Sequence, residues 1–349
     1  GRAMSAVVPP SWRLRGAVAP ALRRGVFVAL PVGIAVLLDL ELDDAVAGGL
    51  ATAALIAGFL AFDAPARVRA RWQLLAAPLI GICAGLGVLS SQSTAPAVLA
   101  MALVAGLAGY CVAVSRRLAL AGMTFVLALL IAQGLYLPVD EALEAAGLGV
   151  AGGLLQAAWA MVAWALVDRE AERPRFAETV RGAIVDLRAQ LSLRSSSLRH
   201  ALRFGAALAV GVAIYRLIDL GEHGYWVPLT ILFVLRPEHS QTLERIGMRA
   251  AGTVVGLVLA TALAALLGED PVATAIVLTI AAACFYALLA IEYALFTIAI
   301  TAYVVLLTDA LGTAPLEAAD ERAVGTAIGI AVAATTFWIW GETREREQT

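Results

Sequence analysis

The chain has 349 residues, of which 61% are hydrophobic and only 15% are charged, and its formal net charge is −2. A soluble domain is usually about 45–50% apolar and about 25% charged, so a single globular core in water cannot bury this excess of apolar residues, and a lipid bilayer is the expected environment. All 25 basic residues are arginine, which excludes P-loop and Schiff-base chemistry that depends on lysine.

Cysteine and histidine are placed in a way that argues against a metal or disulfide site. Cys83, Cys111 and Cys284 lie in apolar runs without a CxxC pair, and the three histidines are scattered, so we expect no disulfide, no metal and no cofactor. The stretch GLGVAG (147–152) has nucleotide-loop glycine spacing, but it lies inside an apolar run, which indicates helix packing. No nucleophile–base set appears, so the sequence does not indicate an enzyme, and we expect no nucleic-acid partner.

Apolar runs and charged breaks divide the chain into two similar halves. After a tail of residues 1–20, whose first three residues look like a tag scar, six apolar runs fill residues 21–167 and six more fill residues 200–341. The pattern predicts an all-α, polytopic membrane protein with about twelve transmembrane helices. The polar linker between the halves, residues 168–199, predicts an amphipathic helix on the membrane surface, and residues 342–349 form a second tail.

Arginine follows one side of this predicted topology. The loops of the opposite side are acidic, as in DLELDD (39–44) and LEAADE (316–321). The positive-inside rule therefore predicts that both termini and the linker are cytoplasmic. Each half then has an even number of spans, so we expect two parallel repeats related by a pseudo-twofold axis along the membrane normal. Corresponding glycine pairs, Gly81-xxx-Gly85 and Gly252-xxx-Gly256, are typical of close helix packing.

One apolar run in the second half is too short to cross a bilayer. Trp226 to Leu235 is ten residues, about 15 Å as a helix against a hydrocarbon core of about 30 Å. Pro228 suits a first helical turn, and Pro237 ends the run. Such a helix leaves terminal N–H groups at membrane depth, and short spans point to transport sites, so the sequence predicts a ligand site at its N-terminus.

Several polar and aromatic side chains near this run are candidates, each with alternatives. Arg216 could snorkel, pair with Asp219 or Glu222, or attract an anion in a cavity. Tyr225 and Trp226 suit either an aromatic belt or a stacking wall. Glu292 suits either an inner turn between two spans or a buried carboxylate facing Arg236 or Arg245. Asp309 and Arg322 flank an outer loop and suit a salt bridge there. Three tyrosines could line the space around a buried Glu292: Tyr286, Tyr293 and Tyr303.

The stretch HGYWVPLTILFVLRPEHSQTLERIGMRAAGTVVG (223–256) closely resembles the characteristic segment of the fusaric-acid-resistance and aromatic-acid-exporter superfamily. The plant aluminium-activated malate transporters are similar in outline. The resemblance is specific from about Arg199 to Gly341, whereas the first half matches only in span count and loop charge. The family motif falls on His223, Gly224, Tyr225, Trp226, Pro228, Arg236 and Pro237.

The resemblance implies export of aromatic or other organic acids across the bacterial inner membrane, driven by protons. We therefore expect a small organic anion and membrane lipid as partners, and a homodimer is one arrangement open to the chain. The alternatives are a passive organic-anion channel and a transporter of lipid-like cell-envelope precursors. The expected substrate-binding residues are Arg216, Tyr225, Trp226, Pro228, Thr230, Arg236 and Tyr303, and the proton-coupling candidates are His223, Glu222 and Glu292.

Overall fold

The computed structural model describes most of the chain as helix. It covers residues 11–42, 45–62, 64–114, 116–167, 185, 196–218, 220, 223–236, 239–268, 270–289, 291–310 and 314–346. These ranges contain twelve α-helices, one 3₁₀ turn at Val139–Glu141 and no strand, which confirms the all-α prediction. The predicted linker helix, Glu222, Asp219 and Pro237 lie outside the described residues.

Six of these helices precede the linker and six follow it. The first six are α1 Ser11–Leu42, α2 Ala45–Gly58, α3 Ala66–Ser90, α4 Thr94–Val114, α5 Arg116–Gly134 and α6 Ala142–Val167. The second six are α7 Ser196–Leu217, α8 Trp226–Val234, α9 His239–Leu267, α10 Pro271–Leu289, α11 Tyr293–Ala310 and α12 Pro315–Arg346.

Nine helices in the described part of the chain are long and apolar enough to cross a membrane, as a multi-pass membrane protein requires. The other three, α2, α5 and α8, do not reach this standard, so the expected twelve full spans are not all present. The shortest is α8, whose nine residues extend over only about 14 Å. The predicted foreshortened helix is therefore confirmed, and every one of its residues is buried inside the bundle.

The two halves pack through long helix pairs. Helix α1 lies along α10 and α4 lies along α7, so each half contributes its first and fourth helices to the contact between them. Helix α8 lies between α7 and α12. Because consecutive helices reverse direction, the bundle has two ends. The basic end holds Arg67, Arg236 and Arg245, and the acidic end holds Asp140 and Glu321.

Glycine brings particular helices into backbone contact, as the sequence predicts. A Cβ atom at Gly85 would lie 3.1 Å from the Ala142 carbonyl oxygen, so α3 packs directly on α6. A Cβ atom added at Gly252 would lie 2.7 Å from the Thr297 Cβ atom, and one added at Gly256 would lie 2.7 Å from the Thr301 Cβ atom. Helix α9 therefore packs directly on α11. The two glycine pairs thus do not face corresponding partners.

Candidate functional site

The N-terminus of α8 does not present free amide groups. The N–H of Trp226 donates to the His223 carbonyl at 3.0 Å, and that of Val227 donates to the Gly224 carbonyl at 3.1 Å. Pro228 has no N–H, and the next amide donates to the carbonyl of Tyr225. The prediction that unpaired N–H groups bind a ligand here is therefore wrong, because the preceding turn satisfies them. The prediction that Pro228 lies in the first turn is confirmed.

The C-terminus of α8 is capped by arginines at the basic end. Arg236 and Arg245 each donate to the Phe233 carbonyl, at 3.4 and 3.3 Å, and Arg203 donates to the Arg236 carbonyl at 2.7 Å. Cations at this position complement the negative end of the helix dipole. Burial, with a smaller contribution from the neighbouring Arg245, lowers the pKa of the Arg236 guanidinium to about 9. Arg236 therefore has a structural contact at the basic end, and its role in substrate binding stays a prediction.

Two further arginines lie deeper in the bundle. Arg249 on α9 and Arg322 on α12 are both 0% exposed. Within the described residues, none of their six guanidinium nitrogens has a hydrogen-bond partner. Arg322 lies 5.1 Å from the centre of the Trp226 ring, and Arg249 lies 6.0 Å from that of Phe233. The predicted outer salt bridge between Asp309 and Arg322 is wrong, because Arg322 lies two turns inside α12 and points into the bundle.

The short helix α8 joins these two arginines into one site. Trp226, Thr230 and Phe233 recur at the i, i+4, i+7 spacing of one helical face, and the two rings are about 10 Å apart along the axis. The Thr230 hydroxyl lies between them, buried and without a hydrogen-bond partner among the described groups. We call Trp226, Thr230, Phe233, Arg249, Tyr293 and Arg322 the arginine site.

Tyr293 connects the arginine site to the basic end. Its ring lies 4.3 Å from the Arg245 guanidinium, and its hydroxyl is close enough to act electrostatically on both Arg249 and Arg322. That hydroxyl is also buried without a hydrogen-bond partner in the described structure. Desolvated guanidinium and hydroxyl donors together favour binding of an anion, since charge-assisted hydrogen bonds are the strong ones.

Sequence reasoning missed both buried arginines, although a signal for them exists. Arg249 opens the segment RAAGTVVG (249–256) and Arg322 opens RAVGTAIG (322–329). In each, the arginine is followed one turn later by a threonine, Thr253 or Thr326, whose hydroxyl is buried and has no partner within the described residues. The shared glycine pattern marks a face that packs against another helix, so an arginine on that face is buried.

A second polar contact lies beside the arginine site at the acidic end. The Nδ1 atom of His223 lies 2.6 Å from a carboxylate oxygen of Glu321, and the two side chains are only 13% and 20% exposed. The His223 ring also stacks on Trp226, with ring centres 4.7 Å apart. This pair joins the turn before α8 to the first turns of α12.

The remaining predicted residues lie apart from the arginine site. Arg216 donates to the Ser91 carbonyl at 2.5 Å and lies 5.1 Å from the Tyr136 ring, so it holds the end of α7 to the end of α3. Tyr303 is buried against Phe285, with ring centres 5.4 Å apart. Their roles in substrate binding stay predictions.

Glu292 and Tyr225 have defined places. The Glu292 carboxylate is exposed and accepts the Ala294 N–H at 3.3 Å. Its predicted place in the turn between two spans is therefore confirmed, and the alternative of a buried carboxylate facing Arg236 is wrong. The Tyr225 ring lies against Trp226, with ring centres 6.1 Å apart. In the described part of the chain, no three metal-ligating side chains come together.

Comparison with known proteins finds a family that part of the second half of the chain resembles. Residues 207–336 match the model of fusaric acid resistance protein-like proteins. The chain is 34% identical to inner membrane protein YccS of Escherichia coli over 42% of this chain and 20% of that protein. It is 36% identical to an uncharacterized protein of Synechocystis over 40% of this chain and 18% of that protein. No solved structure matches the chain.

The chain covers only about a fifth of the length of these curated relatives. Residues 207–336 contain α8, both buried arginines and the pair of His223 with Glu321. Residues 207–336 are therefore similar to fusaric acid resistance protein-like proteins, and the resemblance expected from the sequence is confirmed for this part of the chain.

Proposed function

We propose that the protein is an inner-membrane transporter that exports amphiphilic organic anions, such as aromatic carboxylic acids, through the arginine site. The single observation that carries this proposal is the burial of Arg249 and Arg322 without partners in the described bundle. Burying an unpaired ion costs several kcal/mol after relaxation, and ionisable residues inside membrane bundles commonly mark substrate pathways. An anion would neutralise this charge.

The walls of the arginine site support an amphiphilic ligand. The rings of Trp226 and Phe233 face the two guanidiniums, so a ligand would meet charge on one side and aromatic surface on the other. Aromatic rings favour flat apolar bodies. A carboxylate attached to a ring matches both surfaces.

The complete burial of the arginine site supports a carrier over an open channel. Neither Arg249 nor Arg322 is reached by solvent, so a ligand held there would be closed off from both ends of the bundle. A conducting pore would keep its charged groups in contact with water. The passive organic-anion channel therefore stands second to an alternating-access carrier.

Proton coupling is assigned in this proposal to the pair of His223 and Glu321. Histidine changes its charge near physiological pH, and this pair bridges two elements beside Trp226. Protonation of the imidazole strengthens the contact and closes the acidic end of the arginine site. Loss of the proton weakens the contact and lets that end open.

The proposal includes the orientation and internal symmetry of the bundle. In chain order, α1 of the first half corresponds to α7 of the second, and α4 corresponds to α10. The contact of α1 with α10 therefore corresponds to the contact of α7 with α4, which supports two parallel six-helix repeats. The positive-inside rule assigns the basic end to the cytoplasm. One relative carries the name inner membrane protein, which supports the same membrane for this chain.

The test is uptake of labelled benzoate into vesicles that contain the purified chain, with the membrane potential clamped. We expect flux that follows an imposed pH gradient and that falls at least tenfold in Arg322→Gln. Arg67→Gln, which changes an exposed arginine at the basic end and outside the arginine site, is the matched control. Flux that continues unchanged without a pH gradient would favour the channel, and flux unaffected by Arg322→Gln would refute the arginine site.

A further inference from the structure

We infer that the arginine site binds a dianion, a single molecule whose two acidic groups pair with Arg249 and Arg322. This inference rests on the proposed function, since it takes the arginine site to be the place where an organic anion binds. It adds the charge and the shape of the ligand.

The charge balance requires two negative charges. Arg249 and Arg322 are close enough to repel each other, and no described carboxylate faces them. The neighbouring acid Glu321 is engaged with His223, and the hydroxyl of Tyr293 is neutral. A monoanion would leave one buried guanidinium unpaired, and an unpaired buried charge is strongly unfavourable.

The arginine site consists of two equivalent parts. RAAGTVVG (249–256) on α9 and RAVGTAIG (322–329) on α12 share the pattern R-A-x-G-T-x-x-G. Each places one guanidinium and, one turn later, one unpartnered threonine hydroxyl on the same helical face. One such part offers the donors for one acidic group, so two parts suit a ligand with an acidic group on each side.

The glycines of both segments serve a similar packing role. Gly252 and Gly256 pack against Thr297 and Thr301 of α11. A Cβ atom added at Gly329 would lie 2.6 Å from the Cβ atom of Thr230 on α8. The glycines therefore hold α9 and α12 against their neighbours and fix where the two guanidiniums stand. Between them, the Thr230 hydroxyl and the rings of α8 would contact the middle of the ligand.

The first half of the chain has the same glycine spacing without the arginines. Aligning the glycine pairs puts Pro78 of PLIGICAG (78–85) opposite Arg249, and Ala146 of AAGLGVAGG (145–153) opposite Arg322. There a Cβ atom at Gly81 would lie 2.5 Å from the Ala146 carbonyl oxygen, so α3 and α6 close directly on each other. The described residues therefore form one such site, and we expect one dianion per chain.

Calorimetric titration of the whole purified chain with three rigid probes tests this. The probes are benzoate, a monoanion, and isophthalate and terephthalate, which carry two carboxylates at different separations. We expect at least one dicarboxylate to bind about 100-fold more tightly than benzoate, because benzoate leaves a buried charge unpaired. The expected stoichiometry is one per chain.

Arginine variants give the second part of the test. Arg249→Gln and Arg322→Gln should each weaken the better dicarboxylate to the level of benzoate. Arg67→Gln, which changes an exposed arginine at the basic end, should leave all three affinities unchanged. Both glutamine variants remove a buried unpaired charge, so we expect them to fold. The comparison of the three probes on the wild-type chain does not depend on these variants.

The outcomes separate this inference from the proposed function. Benzoate bound as tightly as both dicarboxylates, or two benzoates per chain, with affinity still dependent on the arginines, overturns the dianion and keeps the anion site. Failure of all three probes to bind, or binding that is unaffected by both arginine variants, overturns the proposed function and the dianion together.

Discussion

At the scale of single residues, Arg249 and Arg322 oppose stability. Each holds a buried guanidinium without a hydrogen-bond partner in the described structure. Replacing buried ionic groups by well-packed apolar residues of similar volume often stabilises a protein by about 1–4 kcal/mol. Such residues persist where function requires them, and strained, destabilising groups cluster at functional sites.

We therefore expect Arg322→Met to raise the free energy of unfolding while abolishing anion transport. Methionine is long, flexible and apolar, so it fills much of the same space. The measurements are the midpoint of thermal unfolding in detergent and flux in vesicles. Arg216→Met is the control, because it loses the contacts with Ser91 and Tyr136 and should lower the midpoint. A lower midpoint for Arg322→Met would mean that its guanidinium has a stabilising partner.

The sequence does not distinguish a structural arginine from a ligand-binding one by charge alone. Arg216 attracts attention because it stands isolated near a span end, yet its guanidinium reaches a backbone carbonyl. Arg322 follows the acidic stretch LEAADE (316–321) in the sequence, which favours an outer salt bridge. Only its place on the glycine face of α12 shows that it is buried, and that face is recognised once the partner helix is known.

At the scale of helices, the length of α8 could be predicted and its ends could not. Proline positions and the apolar count fix a helix of about nine residues. The groups that satisfy its ends come from elsewhere: the turn of residues 223–225 at one end and Arg203 and Arg245 at the other. These contacts depend on how helices meet, which local sequence patterns do not contain.

Close packing between α8 and α12 gives a direct test at this scale. Gly329→Ala would bring a methyl group within 2.6 Å of the Thr230 Cβ atom and 2.7 Å of the Val227 carbonyl oxygen. Overpacking of this kind costs about 1–3 kcal/mol, so the unfolding midpoint should fall. Gly147→Ala is the matched control, since nothing lies within 4 Å of its added Cβ atom, and alanine there should stabilise α6 by up to about 1 kcal/mol. Equal effects of the two changes would contradict the close contact.

The bridge between the turn before α8 and α12 provides a pH-dependent test. The contact of His223 with Glu321 needs both side chains, so a change at either residue removes it. His223→Gln and Glu321→Gln should each remove the response of transport to a pH gradient. Because both act on one contact, the double variant should do no more than either single one. Asp320→Asn, an exposed neighbour, is the control, and additive effects would argue against a single coupled pair.

At the scale of the whole molecule, composition and periodicity predict the all-helical bundle and its division into six helices on each side of the linker. Hydrophobic runs report the solvent of each segment, and a bilayer leaves few choices of structure. The spans that fall short, α2, α5 and α8, are largely buried by neighbours, so lipid thickness does not constrain them. The arginine site needs four helices to meet, which explains why the residues on α9 and α12 escape prediction while those on α8 do not.

The orientation of the bundle is the last consequence of its charge. Arginine at the basic end resists translocation, so the positive-inside rule predicts that this end is cytoplasmic. In a background with Cys83, Cys111 and Cys284 replaced by alanine, Asp140→Cys at the acidic end should react with a membrane-impermeant maleimide in intact cells. Glu244→Cys, exposed near the basic end, should react only after the membrane is permeabilised. The reverse labelling pattern would mean that the acidic end is cytoplasmic. The contact of His223 with Glu321 would then close the cytoplasmic side of the arginine site.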